Sequence, residues 1–150
     1  MTAQIPDTIL IDGQAHALFS EPLDAYYSDA PRPNFIPQNT ANWRGYVGTW
    51  EIREGRLYLI RIAAEICALP LRWNCPKDQR REVGLADLFP ARGAAVPADW
   101  FSGTLRVPVG GQLQYRHMGY ESVYEFDLML TIEKGVVKST TTLDNRITRR

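Results

Sequence analysis

The sequence predicts a mainly β fold, an antiparallel sandwich or half-barrel built from hairpins with one or two short helices, and three observations carry that expectation. Gly-containing dipeptides recur between apolar, β-branched runs, and they supply the positive φ that a two-residue hairpin turn requires. The flanking runs alternate with period two, as strands with one buried face do. Helix signals are few and short. At 150 residues and 45% hydrophobic composition, residues 1–150 read as one domain with a sizeable core.

Taken in order, Asp12-Gly13 joins residues 8–11 to 14–18 as a first hairpin. Ser20-Glu21-Pro22 reads as the start of a helix through Tyr27: the Ser20 hydroxyl can cap an orphan amide, and an early proline sacrifices no helical hydrogen bond. Pro31 and Pro33 bar its continuation. The most ordered stretch is Trp43 to Ile62, WRGYVGTWEIREGRLYLIRI, a hairpin about Glu54-Gly55. Pairing Arg53 with Arg56 sets Ile52 against Leu57, Trp50 against Leu59 and Gly48 against Arg61 on the core side. Arg53 with Arg56, Glu51 with Tyr58, Thr49 with Ile60 and Val47 with Ile62 then take the other side.

Residues 67–98 form the least regular segment, with Pro70, Pro76, Pro90 and Pro97, the charged run 77–82 and a second short helix near Val83 to Phe89. It reads as a long solvated excursion from the sheet. Gly110-Gly111 suggests a hairpin between Thr104–Val107 and Gln112–Arg116, with Pro108 at a sheet edge or strand end because it cannot donate to a ladder. Lys134-Gly135 joins 126–133 to 136–142, with Leu128, Leu130 and Ile132 on one face. The last residues, 143–150, read as a fraying basic end.

The segments ThrIleLeuIleAspGly, SerGluProLeuAspAlaTyrTyr, TrpArgGlyTyrValGlyThrTrpGluIle, AlaAspTrpPheSerGlyThrLeuArgValProValGly and TyrArgHisMetGlyTyrGluSerValTyrGlu, in that order, resemble a family of small uncharacterised bacterial proteins. The resemblance covers most of the chain and implies a one-domain bacterial cytosolic protein. That family has no assigned activity, so no catalytic residue is implied.

Seventeen basic residues balance seventeen acidic ones, so no whole-chain field draws the protein to nucleic acid or to an anionic membrane. The first residues lack a basic segment ahead of an apolar one, and no run approaches the ~20 apolar residues of a membrane span, which makes the cytoplasm the expected location. Cys67 and Cys75, the only cysteines, are then expected as reduced thiols. Two further ligands are not nearby, so no metal is expected there, and no cofactor motif is present.

The strongest constellation for an enzyme is Tyr115 to Glu125, which gathers His117, Glu121 and Glu125 with three tyrosines. Nothing aligns these groups as a helical face would. Ser102 and Ser122 lack a nucleophile elbow, and Gly110-Gly111 lacks the residues of a phosphate loop. No catalytic residue is therefore assigned. Arg44, Arg53, Arg56 and Arg61 interleave with Tyr46 and Tyr58 as single-strand binders interleave basic and aromatic groups, but alternation splits them between faces and Glu51 and Glu54 offset them. Nucleic acid is the less favoured partner.

The large aromatics Trp43, Tyr46, Trp73, Trp100, Phe101, Tyr115 and Tyr120 remain. Most are expected in the core, with exceptions in loops, where Trp, Tyr and Arg serve as recognition anchors. The expectation is a non-catalytic protein-binding domain of an immunity, antitoxin-like or inhibitor kind, contacting its partner through Trp43, Arg44, Trp73, Tyr115, His117, Tyr120 and Glu121. The alternative is a small-molecule-binding or hydrolytic β-domain with a pocket near Tyr46, His117, Tyr120 and Glu121.

Overall fold

The computed structural model of the chain describes residues 3–37, 39, 41–71, 73–116 and 118–148, the last two by backbone alone. Its nine strands are β1 (Asp7–Ile11), β2 (Gln14–Leu18), β3 (Tyr46–Arg53), β4 (Arg56–Cys67), β5 (Arg80–Val83), β6 (Val96–Pro97), β7 (Gly103–Gln114), β8 (Val123–Glu133) and β9 (Val136–Asp144). Three short helices are α1 (Pro22–Tyr27), α2 (Leu85–Leu88) and α3 (Asn145–Thr148). The strands make one mixed sheet in the order β2-β1-β3-β4-β9-β8-β7, with β5 and β6 paired to β4. The sheet is curled but not closed into a barrel: the Phe19 N–H donates to the Arg106 carbonyl at 2.8 Å, linking the chain just past β2 to β7 at the opposite end of the strand order. The mainly β expectation is borne out, with one pair, β1 and β3, parallel. After β2 the chain passes through α1 and crosses to the far side of β1, and such a crossover returns a strand in the parallel sense.

Three of the four expected hairpins form at their expected turns, Asp12-Gly13, Glu54-Gly55 and Lys134-Gly135. Gly110-Gly111 is not a turn. β7 runs straight through it against β8, with register shifts between Val109 and Gln114, so the glycines serve a bulge. Glu125 packs on this backbone: a Cβ at Gly110, where φ is +86°, would lie 2.7 Å from its Oε1. Pro108 does lie on the edge strand. β9 reaches Asp144 and continues into α3, where the Asn145 amide donates to the Tyr124 carbonyl and to Asp127, so the chain there is held and does not fray before residue 148.

The β3–β4 register follows expectation from Arg53–Arg56 to Trp50–Leu59 and then slips by one, pairing Thr49 with Arg61 and Gly48 with Ile62. The bulge resolves a conflict in the pattern. Strict alternation would drive Arg61 into the core; the extra residue turns Ile62 inward, leaving it 4% exposed, and puts Arg61 outside. Arg61 thus joins Arg53 and Arg56 on one face, where Glu51 engages Arg53 and Arg53 stacks over Tyr58.

Residues 67–98 fold back along β4. One edge of β4 meets β9 only at Arg56–Val136, and its remaining edge groups need partners. Pro97 and Val96 pair with Tyr58 and Leu59, and β5 pairs with Ala64–Cys67. The segment buries Val83, Phe89, Val96 and Ala98, so only its charged run is solvated. Cys67 and Cys75 are joined in a disulfide, which corrects the expectation of free thiols. Ile36 packs with them in a small buried cluster.

The core gathers inside the curl, with Ile9, Trp50, Leu57, Leu59, Leu105, Val107, Leu130 and Ile132 from the strands. Leu23 of α1 and Phe89 after α2 cover its open end, and Trp100 joins them, donating from its indole to the Pro22 carbonyl at 3.0 Å. Pro22 opens α1 as expected, but Ser20 does not cap it; its hydroxyl accepts from the Arg106 N–H instead. Trp50 is fully buried, whereas the Arg53 side chain is about half exposed. In denaturant unfolding, Trp50→Ala is expected to cost about 3–5 kcal/mol and Arg53→Ala under about 0.5 kcal/mol; equal small losses would contradict this register.

Candidate functional site

The site begins at a buried charge. Asp7 occupies an inward position of β1, two residues before Ile9, and is fully buried. Its Oδ1 accepts from the Arg44 guanidinium at 2.6 Å and from the Gly48 N–H at 2.9 Å, and its Oδ2 accepts from the Trp50 indole at 2.9 Å. Gly48 leaves room for this: a Cβ there would lie 3.1 Å from the Trp50 indole nitrogen and 3.2 Å from Asp7 Oδ2. Arg44 also donates to the Ile5 carbonyl at 2.8 Å and lies over the Tyr46 ring at 5.1 Å. Burial works against the Arg44 charge, but Asp7, Tyr120 and Glu21 more than offset it, so the guanidinium is held protonated.

Outward from Arg44, a cleft of about 600 Å³ opens between α1, the 42–45 turn and the β7–β8 loop, lined by Gln4, Glu21, Asp24, Arg32, Trp43 and Arg44 with Gly119 at its lip. Glu21 and Asp24 stand one helical turn apart, and a tyrosine steadies each. The Tyr120 hydroxyl donates to Glu21 at 2.6 Å and the Tyr46 hydroxyl to Asp24 at 2.8 Å. Arg32 reaches Asp24 at 3.2 Å and the Arg44 carbonyl at 3.0 Å, and its guanidinium lies 5.4 Å over the Phe35 ring. Burial pushes the Glu21 carboxyl above its ordinary range; Tyr120 and Arg44 oppose the shift and Asp24 adds to it. Burial raises both tyrosines as well, Tyr46 further by the Asp24 charge, while Arg44 opposes the shift at Tyr120. Both phenols therefore remain donors.

Beside the cleft lies an aromatic ridge. The disulfide closes a loop that presents Leu69, Leu71 and Trp73, and Trp73 meets Trp43 edge-on at a ring separation of 5.7 Å. Trp43 is 44% and Trp73 47% exposed. Asn34 anchors the loop by donating to the Leu69 and Leu71 carbonyls.

Of the residues expected to meet a partner, Trp43 and Trp73 are brought together here. Arg44 is buried in the Asp7 pair and is no surface anchor. Tyr120 is half-buried, stacks on Phe19 and reaches Glu21. Tyr115 is exposed on the β7–β8 loop, and Glu121 is exposed beyond Gly119. His117 lies outside the described residues. The alternative pocket near Tyr46 and Tyr120 exists in a different composition: both phenols converge on α1 carboxylates, and Glu121 is not among the lining residues. Sequence reasoning missed Asp7, Glu21, Asp24 and Arg32. An aspartate on the apolar face of β1 was the available signal. It also missed Arg106, which bonds Asp127 and the Tyr120 and Ser122 carbonyls and so pins the loop that carries Tyr120.

No helix among the described residues is long and apolar enough to cross a membrane, and no group of three or more metal-ligating side chains is found among them. The chain matches no protein-family model, no curated protein and no solved structure, in keeping with a resemblance to a family without assigned activity.

Two outcomes follow from the buried charges. Arg44→Met leaves Asp7 without its cation and is expected to cost about 3–5 kcal/mol, part of which the double variant Asp7→Asn with Arg44→Met recovers, as read by chemical denaturation. Because the folded-state pKa of Glu21 is raised, the native state binds the proton more tightly than the unfolded chain. Its contribution is full below the ordinary value of 4.5 and is lost as pH rises through the raised one. Melting temperatures of Glu21→Gln relative to the parent protein should therefore improve from pH 4 to pH 7; a flat difference would refute the shift.

Proposed function

We propose that this chain is a non-catalytic recognition domain that binds another protein by occluding part of its surface, in the manner of an immunity, antitoxin-like or inhibitor protein. The observation that carries this reading is the exposed Trp43–Trp73 pair, set on a disulfide-closed loop with Leu69 and Leu71 beside it. Indole anchors dominate binding energy where they are held in place before contact, because less conformational freedom is then lost. Exposed apolar residues clustered in this way mark interaction surfaces. A bacterial cytosolic origin follows from the resemblance alone, and the disulfide weighs toward a less reducing compartment.

A second reading, small-molecule binding in the adjoining cleft, is favoured by one specific observation, the convergence of Glu21, Asp24, Arg32 and two tyrosine hydroxyls on one concavity. Hydrolysis has no comparable support, since no nucleophile with an adjacent base lines the cleft.

The test is crosslinking and co-purification of the tagged chain from its native cells, followed by affinity measurement with the partner so identified. Trp43→Ala and Trp73→Ala are each expected to weaken binding tenfold or more while leaving the melting temperature within a few degrees, because both indoles are outside the core. Unchanged affinity in both variants would remove the ridge from any role in recognition.

A further inference from the structure

We infer that the cleft beside Trp43 is a binding site for a singly charged organic cation, an alkylguanidinium or alkylammonium group. The inference rests on the reading of this concavity as a binding site and adds the chemistry of its occupant.

The argument is one of charge and surface. The polar cluster at and behind the cleft holds three carboxylates, Asp7, Glu21 and Asp24, against two guanidiniums, Arg32 and Arg44. Asp7 consumes Arg44 inside the fold, and Arg32 consumes part of Asp24. Glu21 has no such partner, since Arg44 approaches no closer than 4.0 Å. Arg44 cannot turn to it, because Asp7 and the Ile5 carbonyl hold its two terminal nitrogens and its buried Nε meets no acceptor. One negative charge is left over at the mouth, beside a second carboxylate whose repulsion it feels.

The wall around that charge suits an organic cation. The printed bonds to the two carboxylates fall on Glu21 Oε2 and on Asp24 Oδ1, which leaves acceptor capacity on both groups for an incoming N–H. Trp43 stands at the rim, 44% exposed, and an indole face attracts a cation more strongly than any other side-chain ring. An anion would meet two carboxylates. A neutral ligand would leave the surplus charge uncompensated. A hydrated metal ion would draw nothing from the indole and finds no three-ligand group among the described residues.

Such a cation has two sources, a free small molecule or an arginine or lysine side chain of a protein partner, and titration distinguishes them. Ethylguanidinium and butylammonium are titrated into the oxidised protein by tryptophan fluorescence and by NMR of the indole N–H signals, with butyrate and butanol as controls, and the tripeptide acetyl-Ala-Arg-Ala-amide follows. Saturable binding of the cations with millimolar constants is expected, weakened fivefold or more in Asp24→Asn and in Glu21→Gln and by added salt. Asp24 is about half exposed, so its variant keeps the test open if Glu21→Gln folds poorly. A tripeptide that binds tenfold more tightly than ethylguanidinium identifies a partner side chain, and parity identifies a small molecule. Absence of saturable binding, binding unchanged in both variants, or equal binding of butyrate would overturn the inference. Loss of partner affinity in Trp73→Ala, at a residue outside the cleft, is a separate result that would stand or fall with the ridge alone.

Discussion

A single carboxylate, that of Asp7, fixes how three parts of this chain meet. A buried carboxylate is tolerable only when its lone pairs are filled and its charge is matched, and here the donors come from a side chain before β3, a backbone amide within it and an indole two residues on. None is local to Asp7. The carboxylate therefore selects the parallel register that sets Ile9 opposite Trp50, and it demands a glycine at position 48, where any side chain would crowd the contact. It also explains why a fold made of hairpins carries one parallel pair. The crossover through α1 brings Arg44 back to Asp7, and Gly45, at φ +80° and against Phe35 with no room for a Cβ, makes the sharp turn into β3.

The recognition face follows from that crossover. Returning toward β3, the chain lays residues 34–36 along the far end of β4, where the Ile36 N–H donates to the Glu65 carbonyl and the Cys67 N–H to the Asn34 carbonyl. This brings Asn34 under the disulfide loop and Trp43 against Trp73. The ridge and the cleft share Trp43, so the ion pair that organises the core also sets the spacing of the exposed groups. A rigid scaffold presenting loops is the usual division of labour for recognition.

The strands were legible because the pattern that specifies them is local: alternation and turn dipeptides gave three hairpins and the inward side of Trp50, Leu57 and Leu59. The errors have one cause. At Arg61 and at Gly110-Gly111 the pattern alone suggested a polar core position and a turn, whereas burial of Ile62 and the packing of Glu125 on a glycine pair chose bulges, and both choices depend on strands distant in sequence. The disulfide was missed for a similar reason, since the proximity of Cys67 and Cys75 is created by the return of β5 along β4. Of the candidate residues, Trp43 and Trp73 were legible from residue type in a loop. Arg44 was misread because residue type does not tell a surface arginine from one that answers a buried aspartate.

Polar groups in the cleft work against the stability of the fold. Glu21 is half-desolvated with its nearest cation held elsewhere, and Asp24 stands beside it as a like charge. A chain selected only for stability would replace Glu21 with a neutral residue, keep the Tyr120 hydrogen bond and lose the repulsion. Two tyrosines and an arginine are instead arranged to hold the carboxylates apart from the core while leaving them open at the mouth. Arrangements that spend folding free energy to keep charges poised in a concavity are found where a ligand supplies the missing counter-charge. That imbalance, more than the size of the cleft, separates it from the shallower grooves along β4, whose polar groups lie at the solvated edge.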